Sequence, residues 1–518
     1  MAQTDMQSAA SESQRHPESV SHILERLGIA VSELVSDSRK SAPGVVFAAY
    51  PGETRDGRDF IVQAVAQRVD GVLWEADHHQ WDPALGVPNA GVVGLKSRIG
   101  EIAAHVYGEP SRAMHMIGIT GTNGKTSVAH WIAQAFARLG QKIAVIGTVG
   151  NGFPGALTPA LNTTPDAIEL QRRLAKYRKQ GAVACAMEVS SHGLAQGRVN
   201  GTAFNVAVLT NLSRDHLDYH GNMDNYANAK ARLFSWPGLD WVVLNVDDAF
   251  GQRLESGVNA ARVAGYGFQR GAVVGEKLRL SQTGLHLQVR TDWGNAELEV
   301  PLLGRFNAAN VLAALTTLLV SDVKLDDACQ ALAHITPPPG RMQTLGGDAH
   351  PLVVVDYAHT PDALEKVLAT LREIVSGGRL ICVFGCGGNR DKGKRPLMGQ
   401  IAAAGADEVW ITSDNPRNED PQHIISEILA GASCAKSDHP KSDHPKSDHP
   451  KSDHRKPDHP VRIEPDRARA IFEAIGGAHH GDVVLIAGKG HEDYQEIADE
   501  RLPFSDVAVA NKALEAWT

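Results

Sequence analysis

Cysteine is scarce in this chain. Cys185, Cys329, Cys382, Cys386 and Cys434 are all there are among 518 residues, with no CxxC pair and no dense spacing of the kind small secreted domains use. A disulfide framework is thereby excluded, and a reduced cytoplasm is the expected compartment. Long hydrophobic runs are lacking too: the apolar stretch at residues 311–320 is far too short to span a bilayer, and residues 1–20 are polar without an apolar h-region. Neither membrane insertion nor export is expected. Positive charge is not in excess, since the formal net charge is −9. The whole molecule therefore offers no attraction to nucleic acid or an anionic membrane, and an anionic ligand would need local basic clusters.

What is present suits a globular protein of several domains. Hydrophobic residues make up 42% of the chain, ordinary for folded cores, and the length corresponds to about three domains at roughly 150 residues each. A polar tail (1–20) precedes short strand-like runs at 45–50, 71–75 and 91–95, which read as a small α/β domain over 21–112. From residue 113 the pattern becomes strand, glycine loop, helix, strand. Apolar runs near 183–187, 205–209 and 241–246 suit buried parallel strands, so a doubly wound domain is expected over 113–340. Alternating segments within 278–303 predict added antiparallel strands, and helices are predicted over 306–320 and 325–334. The turn-rich Pro337–Arg341 segment (PPPGR) is the seam before a third, Rossmann-like α/β domain over 341–518, with strands predicted at 352–355, 380–384, 408–412 and 483–487.

One segment belongs to no such pattern. Residues 436–460 are five tandem pentapeptides, three exact KSDHP copies followed by two variants, and are expected to form a solvated, disordered insertion dispensable for chemistry. Its histidines, His439, His444, His449, His454 and His459, suggest a metal tract. Proline every fifth residue denies them a helical ligand face, and repeat expansion in a tolerant loop explains the pattern equally well.

The strongest local signal is Gly118 to Val128 (GITGTNGKTSV), placed between an apolar strand and a helix. That helix carries Val128, Trp131, Ile132, Ala135, Phe136 and Leu139 on one face, with Gly140 suited to its C-terminal cap. Such a context is what a phosphate loop needs. Backbone N–H groups of Gly121, Thr122, Asn123, Gly124 and Lys125 would cradle phosphate oxygens, Lys125 would reach the outer phosphates, and the Thr126 hydroxyl would ligate Mg²⁺. Ile119 stands where the strict GxxxxGK[ST] pattern has its first glycine. Farther on, Glu188 and His216 fall at the ends of predicted strands, where an open α/β sheet gathers its site, and could complete the coordination of Mg²⁺.

Taken together the motifs resemble the Mur ligase family along nearly the whole chain. Those that match are the TGTNGKT loop, Asn162 to Thr164, the EVSSHG run from Glu188, the NLSRDHLDYH run ending at His220, the GRFN run ending at Asn307, Gly340 with Arg341, and the DYAH run from Asp356. The GGNRDKGKRP run ending at Pro396, Asp414 to Arg417 (DNPR) and Gly488 to Tyr494 (GKGHEDY) are similar to the members that add the third residue of the stem peptide.

The resemblance implies three domains, for a UDP-sugar, for ATP and for an incoming amino acid. It implies phosphorylation of the D-glutamyl carboxylate of a UDP-linked muramyl dipeptide by ATP as co-substrate, attack on the acyl phosphate by the amine of meso-diaminopimelate, and two Mg²⁺ ions. Lys125, Glu188, His216 and Lys230 are the implied catalytic residues. Lys230 would be carbamylated and hold metal with Thr126, Glu188 and His216, while Ser127, Asn307, Arg341 and Asp356 would join the loop in binding ATP. Ser36, Ser38, Glu53, Thr54, Arg55, Asn162, Thr163, Thr164, Ser190, Gln196 and Arg198 would face the UDP substrate, although the family often has an apolar residue where Ser36 stands. Arg390, Asp414, Asn415, Pro416, Arg417, Gly488 and Glu492 would hold diaminopimelate, with Arg417 gripping the carboxylate that lysine lacks. A monomer without nucleic-acid partners is expected. The alternatives are a lysine-adding ligase of the same family, a folylpolyglutamate synthetase-like ligase, and a phosphate-loop protein that switches on nucleotide binding without ligating anything.

Overall fold

The computed structural model describes residues 18–258, 262–347, 349–434, 460–498 and 500–517. The KSDHP repeats therefore lie outside the described residues, save Pro460. The class is the expected one, α/β throughout, with three separate main sheets.

The first sheet is wholly parallel, in the order Leu34–Val35, Val46–Ala49, Gly71–Glu75 and Asn89–Val92. The strand predicted at 91–95 is thus shifted to Asn89–Val92, and Leu95 opens the helix Leu95–Val106 instead. Glu75 explains the break: its carboxylate accepts the N–H groups of Gly94 at 2.9 Å and Leu95 at 2.7 Å, capping the helix where its positive end needs an anion. This helix then packs on the helix Ala167–Lys179 of the central domain. Gly100 makes the approach possible, because a Cβ there would lie 2.1 Å from the carbonyl oxygen of Asn200.

The central sheet has eleven strands. Its parallel heart runs Arg262–Gly267, Trp241–Asn245, Val206–Leu209, His115–Thr120, Ala184–Glu188 and Ile143–Ile146. These are buried apolar runs of four to six residues, as strands covered on both faces must be. The strand order reverses beside His115–Thr120, so the ends of its neighbours open a crevice there. The predicted antiparallel extension is present as Val273–Ser281, Gly284–Thr291 and Gly294–Val300. Helix Arg305–Val320, buried over almost its whole circumference, packs on that sheet beside the helix Lys125–Arg138.

The third sheet runs Gln343–Gly346, Leu352–Asp356, Val483–Ala487, Leu380–Phe384, Glu408–Ile411 and Val461–Ile463, with only its first pair antiparallel. Arg467 is fully buried and staples it. Its guanidinium grips Asp506 with two bonds of 2.7 and 2.8 Å and donates to the carbonyls of Ser413 at 3.3 Å and Ala487 at 3.0 Å, which follow and end two strands. Both members of the pair have 0% side-chain exposure. Removing one partner of such a pair leaves an uncompensated charge in the core. Asp506→Ala should therefore cost about 3–5 kcal/mol, read as a fall in the denaturant midpoint, and a loss below about 1 kcal/mol would show the pair to be no more than a surface-like contact.

Candidate active site

The glycine loop leaves the end of strand His115–Thr120 and enters helix Lys125–Arg138, as its sequence predicts. Gly121 (φ 149°) and Gly124 (φ 85°) have backbones that disfavour a side chain, and a Cβ on Gly121 would sit 1.9 Å from the Thr210 hydroxyl. The N–H cradle is narrower than expected. Thr122 and Asn123 give their amides to the carbonyl and side-chain oxygens of Asn211, at 2.9 and 3.0 Å. Gly124, Lys125 and Thr126 remain to present N–H groups to an anion at the helix start.

Lys125 folds back on its own loop, donating to the carbonyls of Gly121 and Thr122, both at 2.9 Å. Lys230, from helix Met223–Ala231, donates to the same Gly121 oxygen at 2.8 Å and lies 4.6 Å from the ring centroid of Tyr226. Two ammonium groups share one acceptor. Burial pushes the Lys230 amine well below its usual range, and the charge of Lys125 adds to the effect against Asp215. Burial also lowers Lys125, opposed by Glu188 and assisted by Arg341.

Glu188 ends the neighbouring strand and is fully buried. Its carboxylate accepts from the Thr126 hydroxyl at 3.0 Å, the Thr148 amide at 2.7 Å and the Thr148 hydroxyl at 3.1 Å. On the loop's other side His216 sits in the left-handed region (φ 54°), pairs with Asp215 at 3.4 Å and meets the His192 ring edge-on at 4.8 Å. Burial lowers its imidazole first, with Lys125 and Lys230 contributing and Asp215 opposing.

The side expected to face a UDP-sugar is contiguous with Glu188. Thr163 meets Thr148 at 3.0 Å, Thr164 donates to the Glu188 carbonyl at 2.9 Å and to Ser190 at 3.1 Å, and Arg198 binds the Thr164 carbonyl at 2.9 Å and Gln196 at 2.8 Å. Asn162 is exposed beside them. The residues from the first domain are more dispersed: Ser38 meets Gln63 at 3.3 Å, Glu53 pairs with Lys96 at 2.7 Å, and Thr54 and Arg55 are exposed. Tyr50 is pushed up to about 12 by burial and by Asp166, while its bond to Ser36 opposes the shift. Asp166 in turn feels both Lys40 and Arg198, so the loops of the two domains share one electrostatic field.

From the third domain, Arg341 reaches toward this loop. It lies 4.9 Å from the ring centroid of Tyr357, its buried Nε has no partner among the described residues, and its charge is felt at Lys125 and His130. Asp356 and Asn307 are more internal than a ligand contact alone would require. Asp356 accepts the amides of Met342 at 2.7 Å and Ala358 at 2.9 Å, and Asn307 binds the Leu303 carbonyl at 2.9 Å and Asn310 at 3.3 Å.

The residues expected to hold an amino acid form one cluster at the strand ends of the third sheet. Asn415 donates to Glu492 at 2.8 Å, buried Lys489 bridges Asn415 at 2.9 Å and Glu492 at 2.8 Å, and a Cβ on Gly488 would lie 2.7 Å from Asp414. Pro416 is buried and its carbonyl closes on Gly388, Arg417 pairs with Glu496 at 2.9 Å, and Arg390 is exposed at the rim. Lys489, Glu496, Thr148 and Tyr226 were not singled out from sequence. Thr148 follows strand Ile143–Ile146, so the strand-end rule that found Glu188 reaches it too. The other three matter through partners distant in sequence.

Residues 119–318 match the Mur ligase middle domain and residues 340–490 the glutamate ligase domain of the same family. A protein of Chromobacterium violaceum named UDP-N-acetylmuramoyl-L-alanyl-D-glutamate–2,6-diaminopimelate ligase is 52% identical, over 96% of each chain. One of the same name from Nitrosomonas europaea is 47% identical over 98% of each. A solved structure of a ligase with that name superposes with a TM-score of 0.68 at 38% identity, covering 94% of this chain and 95% of that one.

His130, on the phosphate-loop helix, is buried with no partner for Nε2 among the described residues, and burial with a smaller push from Arg341 takes its imidazole down to about 4. Above pH about 6.5 it is neutral in folded and unfolded chains alike. As pH falls from there toward 4, only the unfolded chain takes up the proton, so stability is lost. His130→Gln should remove about 3 kcal/mol of that loss, seen as a flatter stability profile than wild type between pH 6.5 and 4. Parallel profiles would show that the site is protonated without penalty.

Proposed function

The chain belongs to the Mur ligase family, and on that premise we infer that it is an ATP-dependent, ADP-forming ligase joining meso-diaminopimelate to the D-glutamate of UDP-N-acetylmuramoyl-L-alanyl-D-glutamate in peptidoglycan synthesis. The observation that carries the reading is the near full-length likeness to ligases named for that reaction. No helix among the described residues is long and apolar enough to cross a membrane.

The substrate carboxylate attacks the γ-phosphorus of ATP, ADP leaves, and an acyl phosphate results. The amine of the amino acid then adds to the acyl carbon, and the tetrahedral intermediate collapses with loss of phosphate and a proton. The physical difficulty of the first step is that two anions must meet. Lys125 meets it by leaving the carbonyls of Gly121 and Thr122 for the phosphate oxygens, while the N–H groups at the start of its helix hold them from the other side. Arg341, poised over Tyr357 with Nε unpartnered among the described residues, supplies a second cation from the third domain. Thr163, Thr164, Ser190, Gln196 and Arg198 orient the UDP-linked substrate with its reacting end toward Glu188, and Asn415, Arg417, Gly488 and Glu492 present the amino acid, an arrangement that turns encounter into positioning.

The donor set fits Mg²⁺. The Thr126 hydroxyl and Glu188 carboxylate are hard oxygen ligands already in contact, and His216 lies on the opposite flank of the loop. Among the described residues no three His, Cys, Asp or Glu side chains converge to hold a metal, so another anionic oxygen is wanted. Lys230 can become one. Its depressed amine is neutral enough to attack CO₂, forming an N–C bond and releasing a proton to leave a carbamate. Bound Mg²⁺, two ions by family resemblance, would neutralise phosphate charge during transfer.

Two outcomes test these assignments. Lys230→Ala should lose about a hundredfold or more in ligation rate while remaining folded, with partial recovery on adding a short carboxylic acid; near-native turnover without the additive would eliminate the carbamate. Offered a panel of amino acids with ATP, Mg²⁺ and the UDP-dipeptide, the wild type should form ADP and product with diaminopimelate far in excess of lysine. Arg417→Ala should weaken that preference on the order of a hundredfold, with the KM for ATP nearly unchanged. Equal use of lysine by the wild type would make the lysine-adding activity the right one, and nucleotide turnover with no ligated product would favour a switch.

A further inference from the structure

An arginine that selects one carboxylate must hold its guanidinium still, since a freely rotating side chain pays for ordering at the moment of binding. Arg417 does not sit in an ordinary conformation. Its backbone is left-handed (φ 51°), and its turn is docked on the segment that follows the GKGHEDY run. The Arg417 amide donates to the Glu496 carbonyl at 3.0 Å, the Ala498 amide donates to the Arg417 carbonyl at 2.8 Å, and the Glu496 amide donates to the Asn415 side chain at 2.9 Å. The side chain is fixed at two points. Nε donates to the Glu496 carboxylate at 2.9 Å and Nη1 to the Gly388 carbonyl at 2.8 Å, leaving Nη2 with no partner among the described residues. Gly387 and Gly388 permit this closeness, because a Cβ would lie 3.1 Å from Arg417 Nη1 at the first and 1.9 Å from the Pro416 carbonyl at the second.

We propose that Glu496 is a positioning residue for amino-acid selection, holding the Nε edge of Arg417 so that its Nη end faces the distal carboxylate of the incoming substrate. The inference rests on the reading of Arg417 as the group that recognises that carboxylate. The two side chains are 21% and 24% exposed, half-buried at the edge of the cluster, and the bond fixes the direction in which the guanidinium points. A guanidinium can serve two carboxylates on different edges, one structural and one from the substrate. Glu496 also lies on the same segment as Glu492, a segment whose backbone is tied to the Asn415–Arg417 turn, and its carboxylate adds a bond that reaches the Arg417 guanidinium from that segment.

Steady-state kinetics of the full-length enzyme with Glu496→Ala, Glu496→Gln, Arg417→Ala and the double variant Glu496→Ala/Arg417→Ala test this. Glu496→Ala should raise the KM for diaminopimelate about tenfold while kcat and the KM for ATP stay within about twofold, and Glu496→Gln, which keeps an acceptor, should recover much of the loss. The double variant should be no worse than Arg417→Ala alone, because Glu496 acts only through that arginine. If Arg417→Ala loses the preference for diaminopimelate over lysine but Glu496→Ala leaves its KM unchanged, the inference is overturned and the reading of Arg417 stands. Additive losses in the double variant also overturn it, since Glu496 would then act without Arg417. If Arg417→Ala keeps the preference, the reading of Arg417 itself falls and this inference with it.

Discussion

Two lysine side chains bind one carbonyl oxygen, that of Gly121, and much of the central site depends on how that crowding is relieved. Like charges this close in a buried place cannot both be held cheaply. The structure relieves the conflict unequally. Lys125 has Glu188 to favour its charge, whereas Lys230 has the Tyr226 ring and Asp215, and its amine is driven toward the neutral form. Burial lowers both amines, Lys230 the more, so the two lysines proposed to meet phosphate and to take up CO₂ differ in the direction their chemistry needs. Gly121 is required there for another reason, since a Cβ would sit 1.9 Å from the Thr210 hydroxyl.

The same economy holds at the third domain. Ser413, just past one strand, and Ala487, the end of another, are drawn to one buried guanidinium, and the loops that leave them carry the residues proposed to hold the amino acid. Gly340 and Gly490 cross so closely that a Cβ on the first would stand 2.1 Å from the backbone of the second. Arg341 and His491 are placed by that crossing. Arg341 and the loop carrying Gly488 to Glu492 thus share one contact, so neither can shift far without the other.

Strands and helices were legible where the burial pattern decides them. The runs at 71–75, 380–384 and 483–487 were placed to the residue, and the others except 91–95 within one or two positions, because a strand covered on both faces has few other ways to be written. The shift at 91–95 came from a single through-space contact, the Glu75 carboxylate at Gly94 and Leu95, which periodicity does not encode. The phosphate loop was read from its glycines between strand and helix, and Glu188 and His216 from predicted strand ends, although His216 lies seven residues past Leu209, where its strand stops. Family resemblance supplied Lys230, Arg341 and Arg417, and the sequence around Lys230 and Arg417 alone would have suggested solvated side chains. Asn123 and Thr122 differed for a local reason: Asn211 fills the amides that a phosphate loop would otherwise offer. Glu496 and Lys489 could not be reached from sequence, since each acquires meaning only from a partner on another loop.

The strand Val461–Ile463 is the outermost of its sheet and is paired on one side only, with Glu408–Ile411. A chain that enters a sheet at its rim can do so after any length of preceding polypeptide, because no neighbour beyond it fixes where it must come from. The KSDHP units end just before that rim. Duplication or loss of one five-residue unit preserves the reading frame and changes only the length of chain ahead of Val461–Ile463, not the residues that pair with Glu408–Ile411.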